Sequence, residues 1–244
     1  AVGHVNACIG LAEVLLSRGH KIVFVIDQSF AGRLAPYGFI EEVLPSDQKD
    51  QMPGEMVAKS LLDSGVISNV SPFESMKLSQ EMPFMDIITA KKRANDPILK
   101  AIVAKHSPDL YVIDDFNPSP TLVHSNKPWV YVNSANPLLA STDERLPPGC
   151  SGFPTNGNKS EWKEFREEFN KGFVKENIKY NDWLEEEGLP TIDVNKIHLH
   201  SPYLNIYGYP EELDYTDIRP IPEKWLRVDT FMRRGEKQEF KIPD

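Results

Sequence analysis

Cysteine is scarce in this sequence. Cys8 and Cys150 are the only two among 244 residues, far apart and in no CxxC arrangement. A disulfide framework and a cysteine-built zinc site are therefore both excluded, and two free thiols in a reducing compartment is a simpler reading than one bridge. Long apolar runs are missing as well. No stretch of eighteen apolar residues occurs, so nothing here reads as a membrane span, and no signal peptide is recognisable. Clustered positive charge is absent too: 27 Lys and Arg face 36 Asp and Glu, a formal charge of −9. That balance argues against a nucleic-acid partner, because phosphate binding needs grouped cations. The one short basic block, Lys91-Lys92-Arg93, reads as a solvated helix face. There is no GxxxxGK[ST] phosphate loop, GxGxxG fingerprint, GxSxG elbow or HExxH helix. The sequon Asn158-Lys159-Ser160 matters only if this segment enters the secretory pathway.

The length suits one large domain or two small ones, with enough chain to bury a real core. Residues Val5 to Arg18 read as a helix, with Val5, Cys8, Ile9, Ala12, Leu15 and Leu16 on one face and Gly19 as its stop. "KIVFVID" (21–27) is a short β-branched run, the pattern of a strand buried on both faces. "DLYVIDD" (109–115) and "WVYVN" (129–133) are two more such strands, joined by a crossover short enough for a turn or one small helix. Residues 46–105, rich in Met, Pro and Ser, read as helices joined by irregular loops. The stretch 160–188 is a long amphipathic helix with Ser160 as N-cap and Trp162, Phe165, Phe169 and Phe173 as its packing stripe. "PYLNIYGY" (202–209) and "WLRVDTF" (225–231) are further strands. The order implies a Rossmann-like α/β fold, a doubly wound parallel sheet flanked by helices. A helix opening this early behind a glycine normally follows a central strand, which would lie ahead of Ala1.

Two Gly-His pairs flank the first helix. His4 stands at its start, at the sheet edge beyond the carboxyl ends of the strands, where open α/β sheets bind ligands. Positive partial charge there disfavours imidazolium and keeps the ring available as a base. His20 stands at the opposite edge and reads as a turn residue. A base works better with a carboxylate on its other ring nitrogen, and Asp114 and Asp115 end a strand on the His4 edge. Alternation lets one of the two face a given neighbour, which makes His4 with Asp114 a reasonable pair. Pro72, Phe73, Met76, Met82, Phe84 and Met85 offer an apolar wall for a small molecule, and serve equally as plain core. Asn133 and Ser134 end the next strand and are candidates to reach the same cleft. His198 and His200, in "HLH", lack a third ligand, so a metal site is not expected.

"GHVNACIGLAEVLLSRGHKIVFVID" resembles the opening of the UDP-glycosyltransferase family, which runs GH, a helix, then "L..RGH.V.f". "PDLYVIDDF" is similar to that family's next landmark, a strand ending in an aspartate, and "KPWVYVNSANP" to the strand after it. The resemblance covers essentially the whole chain as the acceptor-binding N-terminal half of a two-domain GT-B enzyme. "GHVNA" departs from the family's "GHxxP" by lacking the proline. The resemblance implies inverting transfer of a hexosyl or glucuronosyl group from a UDP-sugar to a hydroxyl of a small lipophilic acceptor. It assigns His4 as base and Asp114 as its partner, puts Asp115 in a variable slot, and places Gly3, Phe73, Met82, Phe84, Asn133 and Ser134 on the substrate side. It implies no cofactor and no metal; the UDP-sugar is a co-substrate held mainly by a C-terminal domain whose signature this chain lacks. Residues 1–232 are then the acceptor domain and 233–244 the start of a linker, with "FKIPD" similar to the family's linker. The fragment is expected to be inactive by itself. The "GHVN" opening is closer to the soluble members, favouring the cytoplasm; an endoplasmic-reticulum parent would carry a signal peptide and an anchor outside this chain. A different class of function also fits the residues: a non-catalytic small-molecule-binding domain in which His4 only caps a helix.

Overall fold

The computed structural model describes residues 2–45, 53–82, 84–196 and 199–233. The first helix, α1 (Val2–Ser17), leads into β1 (Val23–Asp27) and β2 (Ile40–Leu44). Then come α2 (Pro53–Asp63), α3 (Pro72–Glu81) and α4 (Phe84–His106). The second half runs β3 (Tyr111–Ile113), α5 (Pro120–Val123), β4 (Trp129–Asn133), α6 (Lys159–Glu186), β5 (Leu204–Gly208) and β6 (Trp225–Val228). All pairings are parallel, so the expected α/β class of parallel strands flanked by helices holds. The strands do not form one sheet, however. β1 and β2 pair with each other, and β3-β4-β5-β6 form a second ladder, with no strand joining the two among the described residues.

Local differences from the sequence reading have simple causes. α1 starts at Val2, so His4 lies in its first helical turn and not in a preceding loop. First-turn amides need no intrahelical acceptor, and Gly3 therefore does not delay the helix. β1 is half-buried and not covered on both faces: Ile26 packs into the core with α1, while Val25 on the alternate face is 39% exposed. β2 escaped notice because "IEEVL" puts two acids in a short partner strand and shows no apolar run. Glu41 earns its place there by accepting from the backbone amides of Gly32, Leu34 and Ala35. The long helix is capped by Asn158, whose side chain accepts from the Ser160 amide, two residues earlier than the expected cap Ser160.

Two cores result. Ile9 and Ala12 of α1 pack with Ile26, Phe30, Leu34 and Phe39 around the first strand pair. Tyr111, Ile113, Trp129 and Tyr131 form the centre of the second sheet. Trp162 and Phe165 of α6 are fully buried, as a packing stripe should be.

α4 ties the two halves together, and the basic block does this work. Lys91 reaches Asp27 at the end of β1 at 2.5 Å, Lys92 reaches Asp115 just past β3 at 2.5 Å, and Arg93 pairs with Glu186 at the end of α6. Lys91 and Arg93 are exposed, as a solvated helix face should be, and Lys92 is half-buried; what sequence does not show is the three acids that fold toward them. Asp27 gains from this contact. Burial pushes its carboxyl up, but the Lys91 ammonium and the Ser29 donors outweigh that and hold it below its ordinary value.

The chain after β6 returns to α1. A Cβ on Gly10 would stand 2.9 Å from the Met232 carbonyl oxygen and 3.0 Å from that of Phe231. Both obstacles are backbone and cannot swing aside. Gly10→Ala is expected to cost about 1–3 kcal/mol in urea denaturation, as overpacking does. Gly3→Ala, in open space on the same helix, is expected to be neutral or stabilising. His200 supplies a pH effect. Its ring lies against Trp225 at 5.0 Å and Tyr131 at 5.7 Å, and its buried Nε2 has no partner. Burial, with a smaller contribution from Lys196, pushes its pKa below 6.5. The unfolded chain then takes up a proton before the folded one does, so stability present above 6.5 is lost as pH falls below it. Urea midpoints are expected to fall between neutral pH and the acidic side of that value, and to fall less in His200→Phe.

Candidate active site

Three elements bring polar side chains to one point on the carboxyl edge. His4 comes from the first turn of α1, Asp114 follows the last residue of β3, and Ser134 follows the last residue of β4. His4 Nδ1 lies 2.8 Å from Asp114 Oδ1 and 3.1 Å from Ser134 Oγ. An ionised carboxylate only accepts, so Nδ1 carries the proton, and Ser134 Oγ shares it as a second acceptor. Nε2 then holds the lone pair. The His4 side chain is 32% exposed and that of Asp114 only 6%. The arrangement is a fixed, partly open imidazole backed by a buried anion, a geometry able to take a proton from a hydroxyl.

The surroundings keep this pair apart from other charges. Phe116 stands edge-on to the His4 ring, 6.4 Å between centroids, and shields one side. Asp115 does not face His4; its Oδ1 accepts from Lys92 Nζ. Asp114 Oδ2 is buried and accepts from no group. Its negative charge is felt one turn along α1, where burial first and then Asp114 push the Cys8 thiol up to about 12.

The other residues named from sequence are placed differently. Asn133 is 2% exposed. Its Oδ1 accepts from the Ala135 amide and its Nδ2 donates to Asn136 O at 3.5 Å. It therefore shapes the turn that presents Ser134 and does not itself reach His4. Phe73, on α3, packs against Phe165 of α6 at 5.8 Å with Lys77 over its ring, and Met76 is buried. The plain-core reading of that group accounts for these two. Met82 is the half-buried C-cap of α3, and Met85 is half-buried on α4. Phe84 opens α4, and its side chain lies outside the described residues, as do His198 and residues 234–244. Gly3 is exposed beside His4. Sequence reasoning missed Phe116 and Lys92. The first follows the aspartate pair directly and was readable as its neighbour; the second shows no local signal.

A hollow of about 290 Å³ lies along the later part of α1, between Gly10, Ser17, Tyr37 and Met232, and away from His4. Among the described residues, no three His, Cys, Asp or Glu side chains gather as a metal site. No helix among them is long and apolar enough to cross a membrane.

Parallel strands and flanking helices define an α/β protein, with an imidazole–carboxylate pair at the carboxyl ends of its strands. Comparison with known proteins narrows the class. No protein-family model matches the chain. Over 105 residues it is 29% identical to the demethyllactenocin mycarosyltransferase of Streptomyces fradiae, a match covering 40% of this chain and 23% of that protein. Its fold matches the crystal structure of the glycotransferase of kitacinnamycin along its whole length, with a TM-score of 0.57 at 16% identity. The chain spans about half of that solved protein, 53%. The chain thus shares the fold of that solved glycotransferase, and 40% of it is similar in sequence to one mycarosyltransferase.

Thiol chemistry gives an independent check on the site's electrostatics. Burial raises the Cys150 thiol too, but less than that of Cys8, so at alkaline pH Cys150 is expected to react with iodoacetamide faster than Cys8. Asp114→Asn removes the second cause of the Cys8 shift and is expected to speed its alkylation, read by mass spectrometry of the peptides.

Proposed function

We propose that this chain is the acceptor-binding half of a UDP-glycosyltransferase, which moves a sugar with inversion to a hydroxyl of a small lipophilic acceptor. The carrying observation is the 2.8 Å contact between His4 Nδ1 and Asp114, which leaves Nε2 free at the strand ends. The acceptor hydroxyl gives its proton to Nε2 as its oxygen attacks the anomeric carbon, and UDP leaves from the opposite face. Asp114 holds the ring's tautomer and stabilises the imidazolium as it forms. Ser134 limits rotation of the ring. No covalent intermediate enters this scheme, because the acceptor oxygen attacks the anomeric carbon directly as UDP departs, and the charge of the departing diphosphate falls to the groups that hold the nucleotide.

In this reading the sugar nucleotide is gripped by a donor domain outside the chain, which agrees with the half-length match to the solved relative. The soluble branch of the family, and hence the cytoplasm, is the compartment that goes with the "GHVN" opening.

His4→Ala in the complete polypeptide is expected to lower transfer by about 10²–10⁴, the usual worth of a general base. Binding of the UDP-sugar, measured by calorimetry, is expected to stay near the parental value. Asp114→Asn should lose most activity and Asp115→Asn less. Normal turnover without His4 would remove it as the base, whereas a complete polypeptide that binds a small molecule and transfers no sugar would favour the binding-domain reading.

A further inference from the structure

Glu176 of α6 is a carboxylate with little solvent and a shared cation. Its side chain is 14% exposed, and Lys179, one turn along, stands 3.6 Å from its Oε1. The same ammonium pairs with Asp86 in the first turn of α4. Glu176 Oε2 is buried and accepts from no group. Two acids thus meet one ammonium where α4 begins, and ionising both leaves the group with a net negative charge.

The neighbouring elements turn their charges elsewhere. Lys77 of α3 and Lys175 of α6 act on Glu168, two turns back. Gln80 of α3 meets α6 there as well, donating to the Glu168 carbonyl. The chain at 193–196 packs on Asn177 through the Val194 and Lys196 carbonyls. Its charged side chains point away: Asp193 accepts from Asn195, and Lys196 acts on His200.

α4 and α6 are tied at three levels. Asp86 meets Lys179, Arg93 meets Glu186 seven residues further along both helices, and Lys100 meets Glu187. Lys100 also serves two acids, but its second, Asp96, has Ser119 and Thr121 as donors. Glu176 Oε2 has no such relief, and a proton supplies it. A protonated carboxyl can donate to Asp86, whereas two ionised carboxylates only repel. Burial pushes the Glu176 carboxyl above 4.5; Lys179 opposes this, and Asp86 adds to it. The folded chain therefore keeps this proton at a pH where the unfolded chain has lost it. The resulting stabilisation is full below 4.5 and is lost as pH rises through the higher, folded value.

We propose that Glu176, Asp86 and Lys179 form a pH-sensitive latch, which holds the start of α4 to α6 in mildly acidic solution and loosens it toward neutral pH. The latched turn also carries Met85, one of the residues offered for an apolar wall. The inference is independent of the sugar-transfer reading. It also runs opposite to the effect of His200 on the whole fold, so its readout has to be local.

The test is hydrogen exchange in the complete polypeptide, read at the amides of residues 88–91, which bond to carbonyls of the first turn of α4. After correction for the intrinsic pH dependence of exchange, their protection is expected to fall several-fold from the ordinary carboxylate value of 4.5 to neutral pH. Glu176→Gln keeps a donor toward Asp86 at every pH, and should hold the acidic level of protection throughout. Asp86→Asn removes the repulsion and should flatten the profile too. Carbon NMR of glutamate-labelled chain, assigned with Glu176→Gln, should show Glu176 titrating above the other glutamates, and nearer to them in Asp86→Asn. Protection that is flat in the parent would overturn the proposal. So would a pH response that survives in Glu176→Gln, or a Glu176 midpoint that Asp86→Asn leaves in place.

Discussion

The contact between His4 and Asp114 joins two parts of the molecule that share no strand pairing. His4 belongs to α1, which is packed on β1 and β2, and Asp114 belongs to the end of the second sheet. Its 2.8 Å length therefore measures how well the two halves are registered. A buried carboxylate with one oxygen unpartnered is costly, and the structure accepts that cost where it holds an imidazole in one orientation. Everything else near the site can be understood as keeping that register.

α4 is the main device. From its middle, three consecutive cations reach the end of β1, the turn after β3 and the end of α6. Pairs exposed to solvent contribute little to stability, and their value here is geometric. They bring both strand ends to the same helix, so α1 and Asp114 are fixed relative to one another. The stretch through Phe231 and Met232 does the same from the other side. It crosses α1 at Gly10, where no larger residue fits.

How much of this was legible depended on whether the signal was local. The apolar runs at β1, β3, β4, β5 and β6 showed themselves because each gathers β-branched and aromatic residues locally, even where, as at β1 and β6, the strand is only half-buried. The stripe on α6 was equally plain. His4 and Asp114 could be paired from their positions at strand and helix ends together with a resemblance to known motifs. Lys92 could not, since a lysine on a helix looks the same whether its partner is water or an acid 23 residues away. Asn133 shows the opposite error: a polar residue at the right edge whose amide groups are spent on its own turn. β2 was hidden because its acids serve as ligands for backbone amides and as partners for Lys105 and His106.

The central claim concerns what faces Nε2. A crystal structure of the complete polypeptide with UDP and an acceptor that it turns over would test it most directly. The account predicts the acceptor hydroxyl within hydrogen-bond reach of His4 Nε2, roughly 2.6–3.2 Å, with Asp114 still on Nδ1. A hydroxyl held by another base, with His4 turned away from it, would contradict the account.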